Sequence, residues 1–161
     1  MLLKRRFFVG AGLAGLAWGL GSSFGARAQD KGRFEFTLSD AEWRKRLNPQ
    51  QYAVLRQEQT ERAGTSPLNY EHRRGVFACA GCGLDLYRSQ DKFDSGTGWP
   101  SFIRPISGAV ATRLDTSFFS VRTEVHCRRC GGHLGHVFDD GPPPTGKRFC
   151  MNGAALVFKP A

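Results

Sequence analysis

Arg122-Thr123-Glu124-Val125-His126-Cys127-Arg128-Arg129-Cys130-Gly131-Gly132-His133-Leu134-Gly135-His136-Val137-Phe138 decides the fold. It holds the end of one β-type run, a Cys-x-x-Cys-Gly turn and a second β-type run. Such a turn can curl both sulfurs toward one point, because the glycine after the second cysteine permits the positive φ of a tight turn. A second copy, Cys79-Ala80-Gly81-Cys82-Gly83, lies upstream between two further β-type runs. Two such knuckles make one tetrahedral site from Cys79, Cys82, Cys127 and Cys130, for which structural Zn2+ is the expected ion, tying two hairpins together.

Working outward, β-type runs punctuated by Gly and Pro are expected over 75–79, 84–88, 109–114, 117–126, 133–138, 147–152 and 155–158. The intervals leave no room for the helical crossovers that parallel strands require, so antiparallel hairpins and meanders should result. Helix is expected only ahead of them. Ser39 three residues before Glu42, and Asn48 before Pro49 and Gln51, are N-terminal capping patterns for short helices over 40–47 and 49–59. Trp43, Leu47, Tyr52 and Leu55 supply their apolar contacts.

The first 28 residues have a different character. Lys4-Arg5-Arg6 precedes an apolar, glycine-softened stretch from Phe7 to Leu20, and Ala26-Arg27-Ala28 is a small-x-small cleavage pattern. The fourteen apolar residues fall short of the roughly twenty that span a bilayer, so a cleaved export signal is expected, not a lasting anchor. Arg5-Arg6 followed by Phe7-Phe8-Val9 resembles a twin-arginine signal, which implies a periplasmic protein. Because that route carries folded proteins, zinc could protect the four thiolates before they meet an oxidising compartment.

Residues 29–161 are then expected to form one domain, working as a monomer. Removal of residues 1–28 takes away four basic and no acidic side chains, leaving 19 basic against 14 acidic. With no cationic run of five, this mild excess describes a solvated surface, and nucleic acid is not an expected partner.

Gly96-Thr97-Gly98-Trp99-Pro100-Ser101-Phe102, His133-Leu134-Gly135-His136-Val137-Phe138 and Arg148-Phe149-Cys150-Met151-Asn152 occur in that order, with both knuckles interleaved and Asp139-Asp140-Gly141-Pro142 after the His motif. In this the chain resembles the methionine-R-sulfoxide reductases, the B type of peptide methionine sulfoxide reductase, from about residue 39 to 158. The resemblance implies a β-tent-like fold of two antiparallel sheets. It also implies an oxidoreductase that repairs oxidative damage by reducing the R epimer of free or protein-bound methionine sulfoxide, and a thioredoxin-like or other thiol reductant as partner.

That reaction needs a thiolate, a proton for the departing oxygen and an apolar pocket for a methyl group. Cys150, the cysteine left over, is the candidate nucleophile, since a zinc-bound thiolate is a poor free one. Arg148 and Asn152 stand two residues to either side, on the same face of an extended strand, where the Arg148 charge could activate the thiol. The resemblance places His133 and His136 at the site, helped by Asp140, with Trp99 as the apolar wall and Phe102 beside it in the substrate-binding motif. His133 and His136 are three apart and reach one face of a strand only if the backbone bends at Gly135.

Each residue also has a plainer role open to it. A lone cysteine in a strand is commonly a small buried hydrophobe, and a tryptophan is commonly core. His126 or His133 could complete a Cys3His site, although four cysteines already close the tetrahedron. A zinc-stapled β module that binds a peptide or small ligand is the non-catalytic alternative, and a thiol peroxidase using Cys150 the other enzymatic one. Many members of the resembled family carry a resolving cysteine where Thr97 stands. Its absence predicts a one-cysteine cycle, in which sulfenic acid on Cys150 is reduced by an external thiol.

Overall fold

The computed structural model describes residues 34–117 and 120–161. The expected signal over 1–28 and the start at Gln29 lie outside the described residues. Both capping patterns are realised. Ser39 Oγ accepts from the Glu42 N–H while Glu42 Oε2 accepts from the Ser39 N–H, opening α1 (Asp40–Arg46). Asn48 Oδ1 and Gln51 Oε1 exchange the same bonds at the start of α2 (Pro49–Gln57). α2 stops two residues short of the expected end, because Glu58 turns into the left-handed region and the Gln59 N–H closes back on the Ala53 carbonyl.

Among the described residues nine strands follow: β1 (Gly75–Cys79), β2 (Asp85–Arg88), β3 (Lys92–Phe93), β4 (Ser101–Phe102), β5 (Val110–Asp115), β6 (Arg122–Cys127), β7 (His133–Phe138), β8 (Arg148–Met151) and β9 (Leu156–Pro160). They form two antiparallel sheets, β2-β1-β9 and β3-β4-β8-β7-β6-β5, as the fold class expected. The two-residue strands β3 and β4 were not anticipated, since two residues carry no alternation to read. The fourth expected run, 117–126, begins five residues late, at Arg122.

The sheets meet over a core of Phe77, Leu86, Tyr87, Phe102, Val125, Leu134 and Met151, all fully buried. Tyr87 stacks on Phe102 at 4.3 Å between centroids, and Phe77 meets Phe102 edge-on at 5.0 Å. Leu55 from α2 and Trp43 from α1 join this core, each large side chain contributing about 1.5–3 kcal/mol by its removal from water. Among the described residues, no helix is long and apolar enough to cross a membrane.

Candidate functional site

The two knuckles sit in the β1–β2 and β6–β7 turns, so the four cysteines join the two sheets to each other. Gly83 and Gly131 take φ values of 78° and 68° and return their N–H groups to the Cys79 and Cys127 carbonyls at 2.8 Å, the conformation expected of the knuckle glycines. The four buried Sγ atoms all lie within 4.8 Å of one another, with Cys79–Cys130 at 3.7 Å and Cys82–Cys127 at 3.5 Å. A tetrahedron with metal–sulfur bonds of about 2.3 Å has sulfur edges of about 3.8 Å, so this donor set fits zinc. When bound there, zinc would supply a structural staple, because four thiolates leave no open position. The helices close the site from outside: Arg46 Nε donates to the Gly81 carbonyl at 2.6 Å and an Arg56 nitrogen to the Cys130 carbonyl at 3.1 Å.

Away from the knuckles, one cross-strand row organises the six-stranded sheet. Arg113 pairs with Glu124, Glu124 with His136, His136 with Cys150, and Cys150 with Ser101, across β5, β6, β7, β8 and β4. Directly opposed residues of an antiparallel pair project to the same side, so these five side chains share a face. Cys150 is partly exposed. His133 reaches that face through a bulge: the pairing steps from Val125–Gly135 to His126–His133 and leaves Leu134 as the extra residue. The expected bend is therefore present, and the rings of His133 and His136 lie 5.4 Å apart. Gly135 contributes by lacking a side chain, since a Cβ there would stand 2.1 Å from the Cys150 carbonyl oxygen of the adjacent strand.

Each histidine is held by a carboxylate. Glu124 Oε1 lies 2.7 Å from His133 Nδ1, and Asp115 Oδ2 lies 2.8 Å from His136 Nε2. Burial alone would raise Glu124, but hydrogen bonds from His133 and Arg113 and their charges outweigh it and hold the carboxyl below its usual range. Hydrogen bonds from Ser117, then from His136, hold Asp115 far below its own, with the Arg122 charge adding to them. Burial pushes His136 down, against the pull of Asp115. His133 Nε2 is buried without a protein partner, leaving a nitrogen for a ligand.

The predicted neighbours of Cys150 divide by what they touch. Arg148 pairs with Phe138 across β7–β8, lays its guanidinium 4.3 Å from that ring and forms a two-pronged bridge to Asp140 at 2.8 Å. Asp140 first, against some burial, and then Cys150 raise the Arg148 pKa, and Arg148 and Cys150 stand two apart on one face of β8. Asn152 is buried with both ends of its amide engaged: Nδ2 donates to the Leu134 carbonyl at 3.1 Å and Oδ1 accepts from the Glu61 N–H at 2.9 Å. Trp99 is half-buried and its Nε1–H donates to the Glu61 carbonyl at 3.1 Å. Phe102, expected at the substrate, has no exposed surface and belongs to the core against Tyr87, because β4 turns Ser101 and not Phe102 toward Cys150.

A chain of hydroxyls ends at the sulfur. Ser101 Oγ lies 2.7 Å from Ser95 Oγ, Ser95 2.8 Å from Thr97 Oγ1, and Thr97 3.8 Å from Cys150 Sγ. Asp115, Glu124, Ser95 and Ser101 were missed in the sequence. The register that sets a carboxylate by a histidine, on the adjacent strand for Glu124 and two strands away for Asp115, was the only signal for the first two, and it exists only once the pairing is known. The Cys3His alternative is not formed: the four thiols cluster by themselves, as the sequence led one to expect, and His133 Nδ1 faces Glu124.

Comparison with known proteins assigns the chain to a family. The SelR domain family matches residues 47–160. "Peptide methionine sulfoxide reductase MsrB" of Methanosarcina barkeri is 56% identical over 122 residues, covering 75% of this chain and 86% of that protein. The protein of the same description in Agrobacterium fabrum is 51% identical over 123 residues, covering 76% and 91%. One from Leptospira interrogans is 49% identical over 127 residues, covering 78% and 97%.

Proposed function

The chain belongs to the SelR domain family and is an oxidoreductase acting on methionine sulfoxide, and within that activity we propose a one-cysteine reduction of the R epimer at Cys150. The observation that carries the proposal is the register that sets His136 opposite Cys150, with Thr97 and no thiol at 3.8 Å from its sulfur. The Cys150 thiolate attacks the sulfoxide sulfur while a proton is delivered to the oxygen. Oxygen passes to Cys150 as a sulfenic acid and methionine leaves as the thioether. One external thiol then forms a mixed disulfide with release of water, and a second frees Cys150 and leaves as the oxidised disulfide.

His133 is the best-placed proton donor of the two histidines. Glu124 takes its Nδ1–H, so in the imidazolium the remaining proton sits on Nε2, the buried nitrogen without a protein partner. Arg148 supplies positive charge beside the sulfur, with Asp140 fixing its guanidinium. The half-buried Trp99 indole offers an apolar wall for the substrate methyl group. Asn152 holds β8 to its neighbours. Zinc at Cys79, Cys82, Cys127 and Cys130 stays structural.

Export through the signal at 1–28, by the twin-arginine route to the periplasm, completes the proposal, with residues 29–161 as the working domain and a monomer as its form. A thioredoxin-like dithiol is the reductant class that suits a lone sulfenic acid. The test is reduction of the separate R and S epimers of dabsyl-methionine sulfoxide with dithiothreitol. Turnover of R alone, abolished in Cys150→Ser, is expected; equal turnover of both epimers would remove the stereochemical part, and activity in the variant would remove Cys150 as nucleophile.

A further inference from the structure

We infer that Glu61 is a positioning residue that sets the distance between the Trp99 wall and the strand carrying Cys150, an inference that rests on the proposed role of Trp99. Glu61 lies in the segment that leaves α2 and is only 7% exposed, although it carries a carboxylate. Buried carboxylates persist when each oxygen is satisfied, and here both are. Oε1 accepts from the Gly153 N–H at 2.5 Å and Oε2 from the Ala154 N–H at 2.9 Å. Those N–H groups open the single 3-10 turn, Gly153–Ala155, that follows β8. The carboxylate therefore grips the backbone three and four residues beyond Cys150.

The main chain of the same residue faces two other site residues. Its carbonyl accepts the Trp99 indole N–H at 3.1 Å, and its N–H donates to Asn152 Oδ1 at 2.9 Å. One residue thus joins Trp99, Asn152 and the end of the catalytic strand. The neighbouring backbone reinforces the join: the Gly64 N–H donates to the Gly98 carbonyl at 2.8 Å, and a Cβ at Gly98 would stand 2.9 Å from that same nitrogen. Gly153 is equally confined, since a Cβ there would meet Ser66 Oγ at 1.9 Å. Two close backbone approaches flank the Glu61 clamp, one on the Trp99 side and one on the Cys150 side.

Charge-assisted bonds to backbone N–H groups are among the stronger hydrogen bonds, and the amide of Gln offers only one acceptor atom to two donors. Glu61→Gln should loosen the clamp, let the Glu61 carbonyl drift, and move the indole that hangs from it. The expected result is a KM for methionine sulfoxide raised about tenfold with kcat within about twofold.

Two measurements separate this from a general loss of stability. The first is hydrogen exchange of the Trp99 indole N–H in the 15N-labelled full chain, its resonance assigned by its absence in Trp99→Phe. Glu61→Gln should accelerate that exchange, while the alkylation rate of Cys150 stays as in wild type. The second is the double variant, since Glu61→Gln should raise KM little further when Trp99 is already Phe. Glu61→Asp, which keeps a charged acceptor, gives a smaller shift in the same direction and serves if the Gln variant does not fold. Unchanged indole exchange, or KM effects that simply add, would overturn the inference. Indole exchange needs no turnover, so it stands or falls separately from the proposed reaction.

Discussion

Thr97 Oγ1 lies 3.8 Å from Cys150 Sγ, held there by a hydroxyl chain through Ser95 to Ser101. A thiol in place of that hydroxyl would be within reach of the Cys150 sulfur, the proposed nucleophile, with modest side-chain movement. Thr97→Cys should therefore convert the cycle to one with an intramolecular disulfide. After methionine sulfoxide treatment without reductant, mass spectrometry should find a 97–150 disulfide in the variant. In wild type it should find a Cys150 sulfenic acid that dimedone captures. No disulfide in a folded Thr97→Cys would mean the two positions do not meet in solution.

The two Cys-x-x-Cys knuckles link the sheets, so loss of the zinc proposed at them should act on the whole fold. Stripping the metal with a strong chelator, or Cys127→Ser, should destabilise the protein by on the order of 5 kcal/mol or more. Thermal unfolding followed alongside zinc content checks this. A melting temperature unmoved by complete removal would mean that the cluster staples nothing.

Phe102 distinguishes core from site. Its burial between Tyr87 and Phe77 predicts that Phe102→Ala costs about 3–5 kcal/mol of stability. The KM of the molecules that remain folded should hold near the wild-type value, as read by denaturant titration and initial rates below the unfolding temperature. A raised KM at unchanged stability would return Phe102 to the substrate.

Stability should fall on the acid side in two stages. Burial depresses His126 and His136 below the ordinary 6.5, so the unfolded chain binds protons first and stability drops as pH falls from about 6.5. Asp115 and Glu124 are depressed too. Their contribution is full above the ordinary carboxylate values and is lost as pH falls below them. Melting temperatures from pH 8 to pH 3 should be level to about 7 and then decline. A rise between pH 6.5 and 5 would contradict the burial of these rings.

Legibility in the sequence followed the range of the interaction that fixes each element. Helix starts depend on residues three apart, and Ser39–Glu42 and Asn48–Gln51 formed as expected. Strands with several alternating residues were visible, and so were the knuckle glycines. β3 and β4 were not, because pairing with each other, and of β4 with β8, makes them strands and two residues carry no pattern of their own. At the site, Cys150, His133, His136 and Arg148 share a face as expected. Asp115 and Glu124 were hidden by cross-strand register, and Glu61 by a separation of 91 residues from the Asn152 amide it bonds. Phe102 was misplaced because a motif gives proximity in sequence, whereas strand alternation decides which of two neighbours faces the site.

The most direct test of the account is a single turnover without reductant. Zinc-loaded, fully reduced protein is mixed with excess methionine-R-sulfoxide, methionine is counted, and Cys150 is probed with dimedone. The account predicts one methionine per protein, one dimedone adduct confined to Cys150, and thiols at Cys79, Cys82, Cys127 and Cys130 unchanged. Methionine formed with a disulfide between Cys150 and any of those four, or no methionine formed at all, would contradict it.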